Sequence, residues 1–169
     1  MLNTLSFDKR GYLRPYSPIT VDLDTFKANF VTAFPSSSTR KQLFNNYLRY
    51  LYRFQDEVFP IFEQWINSSF VTQKENPEDI DLVTFLDYEV YEKRGDQILD
   101  KFWSFSLENE KLDAYIVKVF PENHQDFFKF KKVEQYWLDI YTHTHPKKTN
   151  PICSKGFLHL KFSPQEEGS

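Results

Sequence analysis

The chain of 169 residues has a single cysteine, four glycines and no apolar run long enough to span a membrane. A lone thiol, Cys153, makes no intramolecular disulfide and supports no cysteine zinc cluster. It has no activating partner nearby in the sequence, which argues against a thiol nucleophile. Neither a P-loop nor a Gly-x-Gly-x-x-Gly turn occurs. Basic charge is also short: 21 Lys and Arg stand against 24 Asp and Glu, for a net charge of -3. Broad, sequence-independent nucleic-acid binding needs a basic footprint, so that class is disfavoured. A small anionic substrate carried in with a metal remains compatible with this balance. The first residues lack the basic-then-apolar pattern of a signal peptide, so a cytoplasmic protein without membrane contact is expected.

Aromatic residues are abundant, with 18 Phe, 10 Tyr and 3 Trp. Such rings can form a stacking surface for bases or fill a core with few residues. Most fall at helical or strand spacing, which favours the core. The length suits one domain, 1–169, with no internal repeat. Residues 1–20 hold Gly11, Pro15 and Pro18 and read as an extended, turn-rich arm. Residues 21–59 read as helical. Asp24 is the expected cap of a first helix carrying Phe26, Phe30 and Phe34. The second helix carries the stripe Leu43, Tyr47, Leu51, Phe54 and Val58, widened by Phe44 and Leu48. Residues 60–169 alternate between patterns. Strands are expected at 61–67, 79–86, 112–120 and 156–162, and helices at 87–106 and 124–144. The last helix carries Phe127, Phe130, Val133, Trp137 and Ile140 along one face, and Gly95 is a candidate break in the one before it. The fold class is therefore α+β, a mixed sheet with helices packed on it.

Within this pattern, Asp79 and Asp81 flank Ile80 in a largely apolar run. On a strand, residues two apart share a face, about 6.5–7 Å from one another. Two carboxylates so close repel, and burial raises the cost. A divalent cation removes the repulsion, and oxygen ligands suit magnesium or manganese. An isolated Asp-x-Asp also fits a turn cap at Asp79 with Asp81 in solvent. A third acid, Asp113, opens the next strand and would join the pair if the strands were neighbours. Ser68 and Ser69 stand where the 61–67 strand ends, and small hydroxyls with free backbone N–H groups suit a phosphate there. Lys74 follows in the connection, within reach of a phosphate or simply solvated.

A small-residue pair after a strand, Asp-x-Asp ten residues on, and a third acid on a neighbouring strand resemble the nucleotidyltransferase superfamily, with its DNA polymerase beta-like fold. The chain is also similar to small bacterial proteins of unknown function assigned to that fold. The likeness runs through Phe7, Gly11, Leu13 and Pro15, then SFVTQKENPEDIDLV, then Asp113–Tyr115, and ends on Lys155–Gly156 ahead of an apolar strand. The resemblance implies a nucleotidyltransferase-like mixed β-sheet with an N-terminal helical pair. It implies Mg2+ or Mn2+ held by Asp79, Asp81 and Asp113, with these as the catalytic acids. Ser68, Ser69 and Lys74 would bind the phosphates of a nucleoside triphosphate. The superfamily usually has glycine where this chain has Ser68, and glycine takes backbone angles that other residues resist.

Two functions follow from that resemblance. One is transfer of a nucleoside monophosphate to an unidentified acceptor: a protein, a tRNA end or a small molecule. The other is a non-catalytic interaction module of the same fold, holding a partner protein in a toxin–antitoxin or phage-defence pair. Elsewhere, His143-Thr-His145 reads as a helix end before Pro146. Lys147, Lys148 and Lys155 read as a basic, solvated loop.

Overall fold

The computed structural model describes residues 3–164, so the outermost residues of the expected domain lie outside it. The architecture is mixed α and β, built on a five-stranded sheet. Three short strands open the chain: β1 (Ser6–Phe7), β2 (Leu13–Arg14) and β3 (Pro18–Thr20). Helices α1 (Leu23–Lys27) and α2 (Arg40–Glu57) follow, then β4 (Phe62–Asn67) and β5 (Ile80–Asp87). Next come α3 (Tyr88–Arg94), α4 (Asp96–Leu99), β6 (Leu112–Val119), α5 (Phe127–Tyr141) and β7 (Phe157–Phe162). The sheet runs β3-β7-β4-β5-β6. Its outer pairs, β3 with β7 and β5 with β6, are parallel, and β4 is antiparallel to both neighbours.

Local chemistry sets the boundaries, and several differ from the sequence reading. The first helix is capped by Asp22, not Asp24: Asp22 Oδ1 accepts the Thr25 N–H at 2.7 Å. That helix tightens no further but widens into a π-helical turn, Ala28–Thr32, before Pro35. The start of α2 is held by Ser37, whose Oγ accepts the N–H groups of Thr39 and Arg40. The expected stripe on α2 is buried from Leu43 to Val58. The expected helix over 87–106 is split at Gly95, which takes φ +73 and so cannot continue a right-handed turn. The arm is not merely extended: β1 and β2 pair as a hairpin, and β3 joins the sheet edge beside β7.

The sheet carries a core on each face. Strand alternation sends Phe62, Ile66, Ile80, Leu82, Leu158 and Leu160 toward α1 and α2. Trp65, Val83, Phe85, Val117 and Phe157 point the other way, toward α5. The rings mostly build these cores. Phe26 alone meets Phe30, Phe44, Tyr47 and Phe70 edge-on, with centroids 5.2–5.9 Å apart. Helix α5 seats Trp137, Leu138 and Tyr141 on the sheet, whereas Val133 and Ile140 of the expected face are exposed.

Candidate functional site

Asp81 lies one residue inside β5, and the strand registers fix its neighbours. Its partner on β4 is Asn67, and its partner on β6 is Asp113. Neighbouring strands lie about 4.8 Å apart, so three oxygen-bearing side chains stand abreast on the α5 face. Asp79 precedes the strand by one residue, and its side chain lines the same cleft. The sequence expectation that Asp79, Asp81 and Asp113 face a common space is thus met by the topology. Among the described residues, however, no three His, Cys, Asp or Glu side chains form a ready-made metal group. Asp113 is engaged by the Ser104 hydroxyl, which donates to Oδ1 and accepts the Ala114 N–H at 2.9 Å.

The turn after β4 brings the serines over this row. Ser68 adopts φ +82 and ψ -177, a region occupied almost only by glycine. A side chain there costs roughly 1–3 kcal/mol. The hydroxyl offsets part of that: Oγ accepts the Phe70 N–H at 3.1 Å and donates to the Asp79 carbonyl at 2.9 Å. Ser68 therefore ties the turn to the segment that carries Asp79. Ser69 starts a 3-10 turn, Ser69–Val71, and lines the cleft with Lys74. The segment beyond is clamped from below by the buried Arg40 guanidinium, which donates to the carbonyls of Phe30, Phe70, Thr72 and Lys74.

The carboxylates sit in a costly electrostatic setting. Burial, with Asp79 and Asp113 adding like charge, pushes Asp81 up to about 7. Burial also raises Asp79, against the pull of Lys148 and Lys74. The compensating cation is Lys155, at the entry to β7. It is not in a solvated loop: only 6% of it is exposed, its Nζ lies 3.5 Å from the Ser68 carbonyl, and burial lowers it to about 8 beside Asp81. Its position follows from Gly156, where a Cβ would fall 2.3 Å from the Pro15 carbonyl, so only glycine lets the hairpin pass that closely. Gly156 N–H donates to the Leu13 carbonyl at 2.8 Å. The scattered Leu13, Pro15, Lys155 and Gly156 of the sequence pattern are thus one contact beside the acids.

Two further groups, Asn67 and Tyr141, were not singled out from the sequence, and Lys148 of the expected basic loop joins them. Asn67 is nearly buried and its Oδ1 has no hydrogen-bond partner among the described residues; the buried Tyr141 Oη has none there either. Burial and the charges of Asp81 and Asp113 raise Tyr141. Lys148 faces Asp79 and Asp81 from the loop after α5. His143 and His145 also line the cleft, beyond the end of α5, as expected for a helix end. The cleft measures about 1180 Å³, with Tyr136, Trp137 and Ile140 as its apolar wall. All of these donors are oxygens, the type that magnesium and manganese take, although among the described residues the acids are not drawn together as a metal group. Among the described residues no helix is long and apolar enough to cross a membrane.

No curated protein and no solved structure matches the chain. A family model does match, over residues 5–161. That span takes in the hairpin, the serine turn, all three acids and Lys155, and the chain belongs to that family, described as a family of unknown function (DUF6932).

Proposed function

We propose that the chain is a metal-dependent nucleotidyltransferase with a nucleotidyltransferase-like sheet, moving a nucleoside monophosphate from a nucleoside triphosphate to an acceptor hydroxyl. The observation that carries this reading is the row of Asp81 and Asp113 in register, with Asp79 beside it, under a serine turn held at a glycine backbone angle. Asp79, Asp81 and Asp113 would hold Mg2+ or Mn2+. A bound divalent ion supplies charge neutralisation for the triphosphate and acidifies the attacking hydroxyl. The Ser68–Ser69 turn and Lys74 form the wall for the phosphates. Asp113 orients the acceptor hydroxyl and takes its proton. The new bond forms between that oxygen and the α-phosphorus, and the bond to pyrophosphate breaks. Positioning and charge stabilisation do the work, as in other phosphoryl-type transfers. A cleft of about 1180 Å³ exceeds the roughly 300–1,000 Å³ typical of one small ligand, which leaves room for an acceptor.

A second reading rests on Lys155 and Ser104. Ser104 gives Asp113 a hydrogen-bond partner, and Lys155 sets a buried positive charge near Asp81, without any metal, as suits a non-catalytic module that holds a partner protein. Transfer of label from α-labelled nucleoside triphosphates into a lysate separates the two. The enzyme reading expects a labelled acceptor with the wild-type protein and none with Asp79→Ala/Asp81→Ala. No labelled acceptor with any of the four nucleotides contradicts it and favours the module.

A further inference from the structure

Strand β4 buries two amide side chains, one on each face of the sheet, and treats them differently. Gln64 faces α2. Its Oε1 accepts from the Tyr47 hydroxyl at 2.7 Å, and its Nε2 donates to Thr84 Oγ1 at 3.0 Å. Asn67, three residues on, faces α5 and is 6% exposed. Its Oδ1 is buried with no partner among the described residues. A bare buried acceptor is costly, and the strand's own Gln64 shows that this fold satisfies an amide where the amide is structural.

The surroundings of Oδ1 narrow what belongs there. Its register neighbour is Asp81, and beyond that stands Asp113. In the ionised state, which is the one a cation binds, carboxylates only accept hydrogen bonds, so the row then has nothing to donate to the amide oxygen. The resident cation, Lys155, reaches the Ser68 carbonyl one residue away and leaves Asn67 Oδ1 unpaired. One species suits an amide oxygen and carboxylates at once: a hard divalent cation, which takes both donor types. We propose that Asn67 is a further oxygen ligand of the divalent cation held by Asp79, Asp81 and Asp113. The inference rests on the reading of the acid row as a cation site. It adds the neutral ligand that lowers the site's charge and fixes the cation against β4 as well as β5 and β6.

The test is titration with Mn2+ alone, read by the electron paramagnetic resonance of the free ion, alongside melting of the metal-free proteins. The wild-type protein shows one saturable site, and Asp79→Ala/Asp81→Ala shows none. Asn67→Ala binds Mn2+ at least about tenfold more weakly, yet melts no lower without metal, because the lost acceptor had no partner. Asn67→Asp, which adds a charged oxygen at the same place, binds Mn2+ more tightly than Asn67→Ala. Wild-type affinity in Asn67→Ala, or a lowered melting point with Mn2+ binding intact, overturns the proposal and makes Asn67 structural. Absence of a saturable site in the wild-type protein overturns it as well. This outcome is independent of nucleotide transfer. The expected Mn2+ pattern without a labelled acceptor removes the enzyme reading and leaves Asn67 a ligand. Transfer with normal Mn2+ binding in Asn67→Ala removes only Asn67.

Discussion

On the α2 side of the sheet, Tyr47, Gln64 and Thr84 form a closed chain of buried hydrogen bonds, and Arg40 spreads its guanidinium over four carbonyls. On the α5 side, at one end of the same strands, Asn67 Oδ1 and Tyr141 Oη are buried without partners among the described residues, and acids crowd together. The first region is not perfect, since Arg40 Nε and Thr39 Oγ1 are also unpaired. The contrast still holds where charge is concerned. The α2 side pairs its buried amide and most of its guanidinium internally and gathers no like charges, as a region built for stability does. The α5 side leaves like charges and bare acceptors at a cleft, where a ligand can complete them.

Substitutions on the two faces should therefore behave oppositely. The largest effect is expected at Arg40. Arg40→Met strands the carbonyls of Phe30, Phe70, Thr72 and Lys74, and the unfolding free energy should fall by about 3–5 kcal/mol in urea denaturation. A loss under about 1 kcal/mol would mean the clamp contributes little.

The next effect is opposite in sign. The folded-state value of Asp81, about 7, lies above the ordinary carboxylate value. The folded protein then binds more protons than the unfolded chain between those values, so this group's contribution is complete at low pH and is lost as pH rises through about 7. Asp81→Asn should abolish that loss and stabilise the metal-free protein near neutral pH by on the order of 2–4 kcal/mol. Lys155 is lowered to about 8, so its contribution should grow as pH rises from about 8 toward the usual lysine value. Denaturation midpoints across pH, wild type against Asp81→Asn, check both signs. Parallel curves for the two proteins would show that Asp81 is not under strain.

The smallest effects form a matched pair. Tyr47→Phe breaks a bond to Gln64 and should cost about 1–2 kcal/mol. Tyr141→Phe removes a hydroxyl with no partner and should leave thermal stability unchanged or slightly raised. Equal losses from the two would erase the contrast between the faces.

What the sequence revealed follows the same division. Alternation placed Asp79 and Asp81 on one face, and the apolar period of α2 identified its buried stripe, because both signals are local. The strands β1 to β3 are two or three residues long and punctuated by Gly11, Pro15 and Pro18, too short to show a period. The face of α5 was only half legible. Phe130 and Trp137 pack as their spacing suggests, but the helix leans on the sheet through Leu138 and Tyr141 and leaves Val133 and Ile140 in solvent. Lys155 looked like a loop lysine because its burial comes from the close passage of the Leu13–Pro15 segment past Gly156, a contact between the chain's two ends. Asn67 and Tyr141 carried no signal, since a missing hydrogen bond is visible only once all neighbours are in place. Ser68 departs from the expected glycine in its side chain, yet its backbone takes the glycine angle.

Calorimetry with Mn2+ and each nucleoside triphosphate in turn decides whether the unmatched end of the α5 face takes up a metal–nucleotide, as proposed. Saturable binding that needs the metal and disappears in Asp79→Ala/Asp81→Ala, while that variant stays folded, is the expected result. No heat of binding for any nucleotide at about 1 mM, the upper end of ordinary substrate affinities, or binding unaffected by loss of the two acids, would contradict it.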